Sequence, residues 1–223
     1  MSHNSINWHT ISTVLLDMDG TLLDLNYDNQ FWLQHLPQRY AERYQLSFEV
    51  AKKTLLNRYT EMLGTLQWYS VDYWSSELKM DVGVLKTELA HLITLRPHVN
   101  EFLHALHEHN KRVVLVTNAH QKSLSLKMQH TQLAHHFDQI VCAHDLGLPK
   151  EQAEFWHQLQ QIEPFNPAKT LLIDDNLSVL RSAADYGIKY TYGINQPDSQ
   201  SPPKDAGGFT AIHSFCDIIP TRL

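Results

Sequence analysis

Val14-Leu15-Leu16-Asp17-Met18-Asp19-Gly20-Thr21 sets two carboxylates at the end of an apolar run. A run rich in β-branched residues and leucine that stops at Gly-Thr predicts a buried strand ending in a tight loop, with both Asp side chains emerging where the sheet stops. In open α/β sheets ligands bind outside those carboxyl ends. Asp17 and Asp19 alternate along the chain, so continued strand geometry would put them on one face. Taken alone the pair is ambiguous, since D-x-D also occurs in surface loops and calcium-binding turns.

Two more strand ends resolve the ambiguity. Val113-Val114-Leu115-Val116 is continuously apolar and ends in Thr117-Asn118, a hydroxyl beside an amide. Leu171-Leu172-Ile173 ends in Asp174-Asp175. Between them Lys150 follows Gly147-Leu148-Pro149 and precedes a helix expected from about Glu151.

An Asp pair, a Thr, a Lys and a second Asp pair, in that order, resemble the four motifs of the haloacid dehalogenase superfamily of phosphotransferases across nearly the whole chain. Receiver domains of signalling proteins use similar residues in a different order, with the acidic pair first and the phosphorylated Asp later.

Composition sets the outer bounds. With 223 residues the chain can build one α/β core plus an inserted subdomain. A net charge of −6 with no Lys/Arg cluster argues against nucleic acid as a partner; the small-molecule phosphomonoester that the resemblance implies would need a local positive site instead. No apolar run approaches the ~20 residues that span a bilayer, and no basic-then-apolar leader precedes the first strand, so a cytoplasmic protein with no membrane partner is expected. The two cysteines, Cys142 and Cys216, form neither a C-x-x-C pair nor a disulfide framework. None of the fifteen histidines makes an H-E-x-x-H pair. Oligomeric state is not encoded in any of these features.

The periodicity changes from strand to helix between about Asn26 and Leu95, with helices expected near 29–44, 47–63, 71–78 and 85–92. Ser47 opens one of them and Gly64 closes it. Beyond Pro97, helices near 99–109, 122–130, 151–162 and 177–186 alternate with strands near 112–116, 139–143, 170–173 and 190–192. The fold class is therefore α/β, a doubly wound parallel sheet with an inserted α-helical cap. Residues 1–25 and 96–223 form the core, and 26–95 the cap. Residues 196–208, rich in Pro, Ser, Asp and Gly, read as an irregular loop.

The resemblance implies roles for these residues. Asp17 is the nucleophile that gives an aspartyl-phosphate, and Asp19 protonates the departing oxygen and later activates water, with a pKa raised by Asp17 and partial burial. Mg2+ is the implied cofactor, held by Asp17, Asp175 and the backbone carbonyl of Asp19, with Asp174 acting through water. Thr117, the amides of Asn118 and Met18, and Lys150 meet the phosphoryl oxygens. Independently of the resemblance, at least one of Asp174 and Asp175 is also expected to N-cap the helix that starts near Asn176.

Dehalogenases of the superfamily lack the second Asp of D-x-D, so Asp19 favours phosphoryl transfer. Leu15 to Trp32, Thr65 to Leu78, Thr117-Asn118-Ala119-His120 and Asn195 to Ser199 look like the bacterial GMP/IMP nucleotidases of that superfamily, which implies hydrolysis of purine 5'-mononucleotides. A sugar-phosphate phosphatase or phosphomutase, and more remotely a noncatalytic phospho-ligand binder, are the alternatives. Phe31, Trp32, Trp68, Tyr69, Tyr73 and Trp74 make the inserted segment aromatic, able to stack on a base or to pack its own helices.

Overall fold

The computed structural model describes residues 6–220. Six strands, β1 (Thr13–Leu16), β2 (Arg112–Thr117), β3 (Gln139–Cys142), β4 (Thr170–Asp174), β5 (Tyr190–Ile194) and β6 (Thr210–Ile212), form one parallel sheet in the order β3-β2-β1-β4-β5-β6. Alternate residues feed opposite faces. Val14, Leu16, Val113, Leu115, Leu171 and Ile173 enter one apolar cluster, while Leu15, Val114, Val116 and Leu172 enter the other. Both faces are covered, which is why these strands read as unbroken apolar runs rather than alternating ones.

After β1 the chain turns sharply. The Leu22 and Leu23 amides both donate to Met18 O, at 3.0 and 2.9 Å, and Gly20 adopts a φ of +81°. A helical stretch follows: α1 (Asn26–Gln30), a π-helical turn (Phe31–His35), α2 (Leu36–Tyr44), α3 (Phe48–Met62), α4 (Leu66–Tyr69), α5 (Val71–Leu78) and α6 (Val82–Glu88). These helices gather an apolar cluster of their own around Phe31, Leu36, Leu55, Tyr59, Trp74 and Leu78. Burying each such side chain contributes roughly 1.5–3 kcal/mol. Ser47, Thr65, Ser70 and Asp81 accept from the amides three residues on and so fix four helix starts.

The chain then returns beside its own exit. Leu23 bridges Leu95 antiparallel, the Asp24 amide donates to Thr94 O at 3.0 Å, and the Arg96 amide donates to Leu22 O at 2.9 Å. Helices α7 (Val99–Glu108), α8 (Gln121–Thr131), α9 (Ala143–Leu146), α10 (Ala153–Ile162) and α11 (Leu177–Tyr186) complete the fold. Phe102, Leu103 and Leu106 of α7 and Leu124 of α8 pack on one face of the sheet; Phe155, Trp156 and Leu159 of α10 and Val179 and Leu180 of α11 pack on the other. The doubly wound parallel sheet expected from the sequence is therefore present, and its strand order reverses between β1 and β4, where a ligand crevice opens.

Three local differences have physical causes. The helix expected from Leu85 starts at Val82 because Asp81 caps it, and it gives way to a 3-10 turn at Ala90–Leu92. Helix α4 and strand β6 are only four and three residues long, too short for periodicity to register. Strand β6 gains its structure from pairing with β5, and residues 196–208 carry neither helix nor strand.

Candidate active site

Asp17 follows the last residue of β1, and its amide still donates to Ile173 O of β4 at 3.0 Å. Thr117 and Asp174 are the last residues of β2 and β4. Three adjacent strands thus deliver these side chains to one edge. Lys150 arrives from the loop between α9 and α10. Its Nζ donates to Asp17 Oδ1 at 2.6 Å, Asp174 Oδ2 at 2.7 Å and Val116 O at 3.0 Å. All three ammonium hydrogens are therefore used within the protein. Asn118 secures that loop: its Oδ1 accepts from the Lys150 amide and its Nδ2 donates to Glu151, both at 2.9 Å. Glu151 also accepts from Tyr69 Oη at 2.6 Å and from Asn176 Nδ2 at 3.2 Å.

Oxygens of Asp17, Asp174 and Asp175 lie within 4.8 Å of one another. Burial pushes each of these carboxyls up to about 6, against the pull of Lys150, and the mutual repulsion of the carboxylates adds to the rise. Burial also works against the Lys150 ammonium, but Asp17 and Asp174 outweigh it and hold the proton on. A second cation beside this cluster is the half-exposed Lys204, whose Nζ donates to Asp175 O at 2.8 Å and Asp175 Oδ2 at 3.3 Å. An all-oxygen donor set with surplus negative charge suits a hard divalent cation.

The two neighbouring acids differ in what remains free. Asp174 uses Oδ2 on Lys150 and Oδ1 on the Asn176 amide at 2.9 Å. Asp175 has one oxygen without a protein hydrogen bond. Neither caps α11, contrary to expectation: Asn176 does, accepting from the Ser178 amide at 2.9 Å. With the cap supplied by Asn176, both Asp174 and Asp175 remain in the lining of the site.

Thr117 Oγ1 accepts from the Ala119 amide at 3.0 Å, which leaves its hydroxyl hydrogen available. The Met18 side chain is buried in the apolar core beside the sheet. Asp19 is part-buried. Burial raises its carboxyl to about 6 in spite of Lys127, with Asp28 and Asp17 adding to the rise.

Lys127, Asp28 and Lys86 were not singled out from the sequence. Lys127 Nζ donates to Asp19 Oδ1 and Asp28 Oδ2, both at 2.6 Å, and Lys86 Nζ donates to Asp28 Oδ1 at 3.0 Å. The signal available was positional, because Lys127 stands three residues after Leu124 on the buried side of α8, and Lys86 four after Val82 on that of α6.

These groups open onto a cavity of about 410 Å³ that joins Asp17, Asp19, Thr117, Lys150, Asp174 and Asp175 to Leu25, Asn29, Trp32, Trp68, Tyr69 and Leu177. The acidic end belongs to the sheet and the aromatic end to the inserted helices. The Trp32 and Trp68 rings face each other, 6.5 Å between centroids and 24° apart. Tyr59 meets both edge-on.

Residues 14–192 match the family model of haloacid dehalogenase-like hydrolases. The chain belongs to that family. It is 36% identical over 221 residues to the GMP/IMP nucleotidase YrfG of Escherichia coli K12, covering 99% of this chain and 100% of that protein, and equally so to its Shigella flexneri counterpart. Among solved structures, an HAD phosphatase from Thermococcus onnurineus superposes with a TM-score of 0.77 at 18% identity, covering 93% of this chain and 95% of that one. The L-2-haloacid dehalogenase of Xanthobacter autotrophicus gives 0.58 at 14%, covering 85% and 80%. Two chemistries thus share this haloacid dehalogenase-like fold, and the site must discriminate between them. No helix among the described residues is long and apolar enough to cross a membrane.

Proposed function

We propose that this haloacid dehalogenase-like hydrolase is a magnesium-dependent phosphomonoester hydrolase of the cytoplasm, a 5'-nucleotidase acting on purine mononucleotides such as GMP and IMP. One observation carries the proposal: a single cavity has the Asp17–Lys150–Asp174–Asp175 cluster at one end and the Trp32–Trp68 pair at the other. The first end suits a phosphate and the second a flat base. Full-length similarity to a GMP/IMP nucleotidase supports the same substrate class.

Asp17 is the proposed nucleophile. Lys150 pins its Oδ1 at 2.6 Å, which fixes the carboxylate and leaves Oδ2 for in-line attack on phosphorus. Asp19 protonates the ester oxygen as it departs, and then takes a proton from the water that hydrolyses the aspartyl-phosphate. Thr117 Oγ and the amides of Met18 and Asn118 donate to the phosphoryl oxygens, where charge develops. Asp17, Asp175 and the carbonyl of Asp19 would hold Mg2+, with Asp174 acting through water; the bound ion neutralises phosphate charge as a Lewis acid. We infer that residues 26–95 act as a cap, contacting the nucleoside and excluding water.

The experiment is phosphate release from IMP, GMP, AMP, pyrimidine monophosphates and sugar phosphates, with magnesium and with chelator, for the wild type and Asp17→Asn. Selective magnesium-dependent release from IMP and GMP, lost in Asp17→Asn with the fold intact, is the expected result. Release from sugar phosphates alone, or isomerisation without release, would replace the nucleotidase reading by a sugar-phosphate phosphatase or phosphomutase. Wild-type rates in Asp17→Asn would remove Asp17 as nucleophile.

A further inference from the structure

Asp19, Lys127, Asp28 and Lys86 form a line of alternating charge through the junction of the sheet and the inserted helices. Lys127 and Lys86 are 1% and 2% exposed. Lys127 comes from α8, beside the sheet, and spans from Asp19 on the β1 loop to Asp28 on α1, at 2.6 Å to each. Lys86 closes the line on Asp28 at 3.0 Å and lies over the rings of Tyr27, Phe31 and Trp32, 4.5 to 5.2 Å from their centroids. Tyr27 Oη donates to Lys86 O at 2.9 Å. Two acids and two bases balance, as a buried set must.

The bond to Lys127 is the one protein hydrogen bond that Asp19 makes, and it is on Oδ1. Oδ2 carries no protein hydrogen bond, and Asp19 lines the cavity. A carboxyl free to rotate about χ2 would present either oxygen in many directions, whereas one pinned by a buried ammonium presents a single oxygen along one line. The pin is itself anchored, because Lys127 also bonds Asp28 and its Nζ lies 5.1 Å from the centroid of the Tyr27 ring.

We propose that Lys127 is the positioning residue that aims Asp19 Oδ2 at the leaving oxygen, and that Asp28, brought by the first inserted helix, completes its hold. This rests on Asp19 being the leaving-group acid. In that step the Asp17 Oδ2–phosphorus bond forms, the phosphorus–ester oxygen bond breaks with its electron pair on the ester oxygen, and that oxygen takes the proton from Asp19. Seating of the inserted helices and aiming of the acid are then one event, since α1 supplies Asp28 to the ammonium that holds Asp19.

A purely docking ion pair would lower stability and slow every substrate alike. A positioning role is selective, because 4-nitrophenolate leaves without a proton and a nucleoside 5'-oxygen does not. The test measures kcat/KM, which reports the phosphorylation half-reaction, on IMP and on 4-nitrophenyl phosphate for the wild type, Asp19→Ala, Lys127→Met and Asp28→Asn, with melting temperatures for each. Lys127→Met should lose about tenfold to a hundredfold on IMP and less than about threefold on the aryl ester, a weaker copy of the Asp19→Ala pattern. Asp28→Asn should shift the ratio in the same direction and carries the comparison should Lys127→Met not fold. Equal losses on both substrates would overturn the positioning role. If Asp19→Ala is itself unselective, the assignment of Asp19 as leaving-group acid fails instead; if Asp19→Ala is selective and the other variants are not, only the role of Lys127 fails.

Discussion

Gly20 backs onto the carboxylate of Asp175: a Cβ at Gly20 would lie 2.8 Å from Asp175 Cγ and 2.9 Å from Oδ2. The loop that carries Asp17 and Asp19 and the strand end that carries Asp175 are thus fitted to each other through a missing methyl group. A positive φ at Gly20 adds roughly 1–2 kcal/mol of strain for any other residue. Gly20→Ala should therefore displace Asp175, raise the magnesium concentration for half-maximal turnover by about tenfold, and lower the melting temperature. A magnesium titration compares the two proteins, and superimposable curves would refute the coupling.

Removing the metal ligand should be visible without turnover. Magnesium at about a hundred times its dissociation constant should stabilise the protein by roughly 2.7 kcal/mol, and chelator should abolish both the shift and phosphate release. Asp175→Asn, which also relieves repulsion with the buried carboxyls of Asp17 and Asp174, should be at least as stable as the metal-free wild type yet show no magnesium shift. Thermal melts with magnesium and with chelator decide this, and a full shift in the variant would contradict it.

Acid should loosen the junction at Asp28. Burial alone would raise this carboxyl, but Lys127 and Lys86 hold it down to about 2, from 3.8. Its stabilisation is complete above the unfolded value and disappears as the pH falls from about 4 to about 2. The displacement corresponds to about 2 kcal/mol. Asp28→Asn should be destabilised near neutral pH, and the gap to wild type should narrow below about pH 4. Urea unfolding with chelator present at stepped pH measures the gap; a constant gap would show that Asp28 does not carry the effect.

The aromatic end of the cavity should govern affinity rather than chemistry. Trp68→Ala should raise KM for IMP by about tenfold or more, the loss expected for one stacking platform, and leave kcat/KM for 4-nitrophenyl phosphate within about threefold. Parallel losses on both substrates would mean that Trp68 only packs against Trp32 and Tyr59.

What the sequence could say depended on where each residue's partner lies. The runs ending at Asp17, Thr117 and Asp174 are legible because both faces of the sheet are buried, so their apolar character is continuous and local. The capped start at Ser47 is legible because capping there is settled within three residues of an apolar-periodic run, whereas the Thr65 and Asp81 caps open segments too short for their period to show. Strand β6 escapes because three residues have no period, and its pairing with β5 is decided across the irregular loop before it. Lys127 and Lys86 escape for a different reason: a lysine in a helix reads as solvated, and only the meeting of α1, α6 and α8 at Asp28 shows that these two are buried. The capping by Asn176 was within reach, since Asn is as good an N-cap as Asp and stands directly before Leu177.

The bridge between Leu23 and Leu95 carries one more implication. The chain leaves the sheet and re-enters it through two neighbouring backbone segments, so to the sheet everything between them is equivalent to a single hairpin turn. Closing a long excursion adds little entropy beyond closing a short one once its ends are paired. Away from Asp28, Lys86 and Tyr69, the inserted helices are in that sense exchangeable: their length and side chains can be rewritten while the register of β1 with β2 and β4 stays as it is.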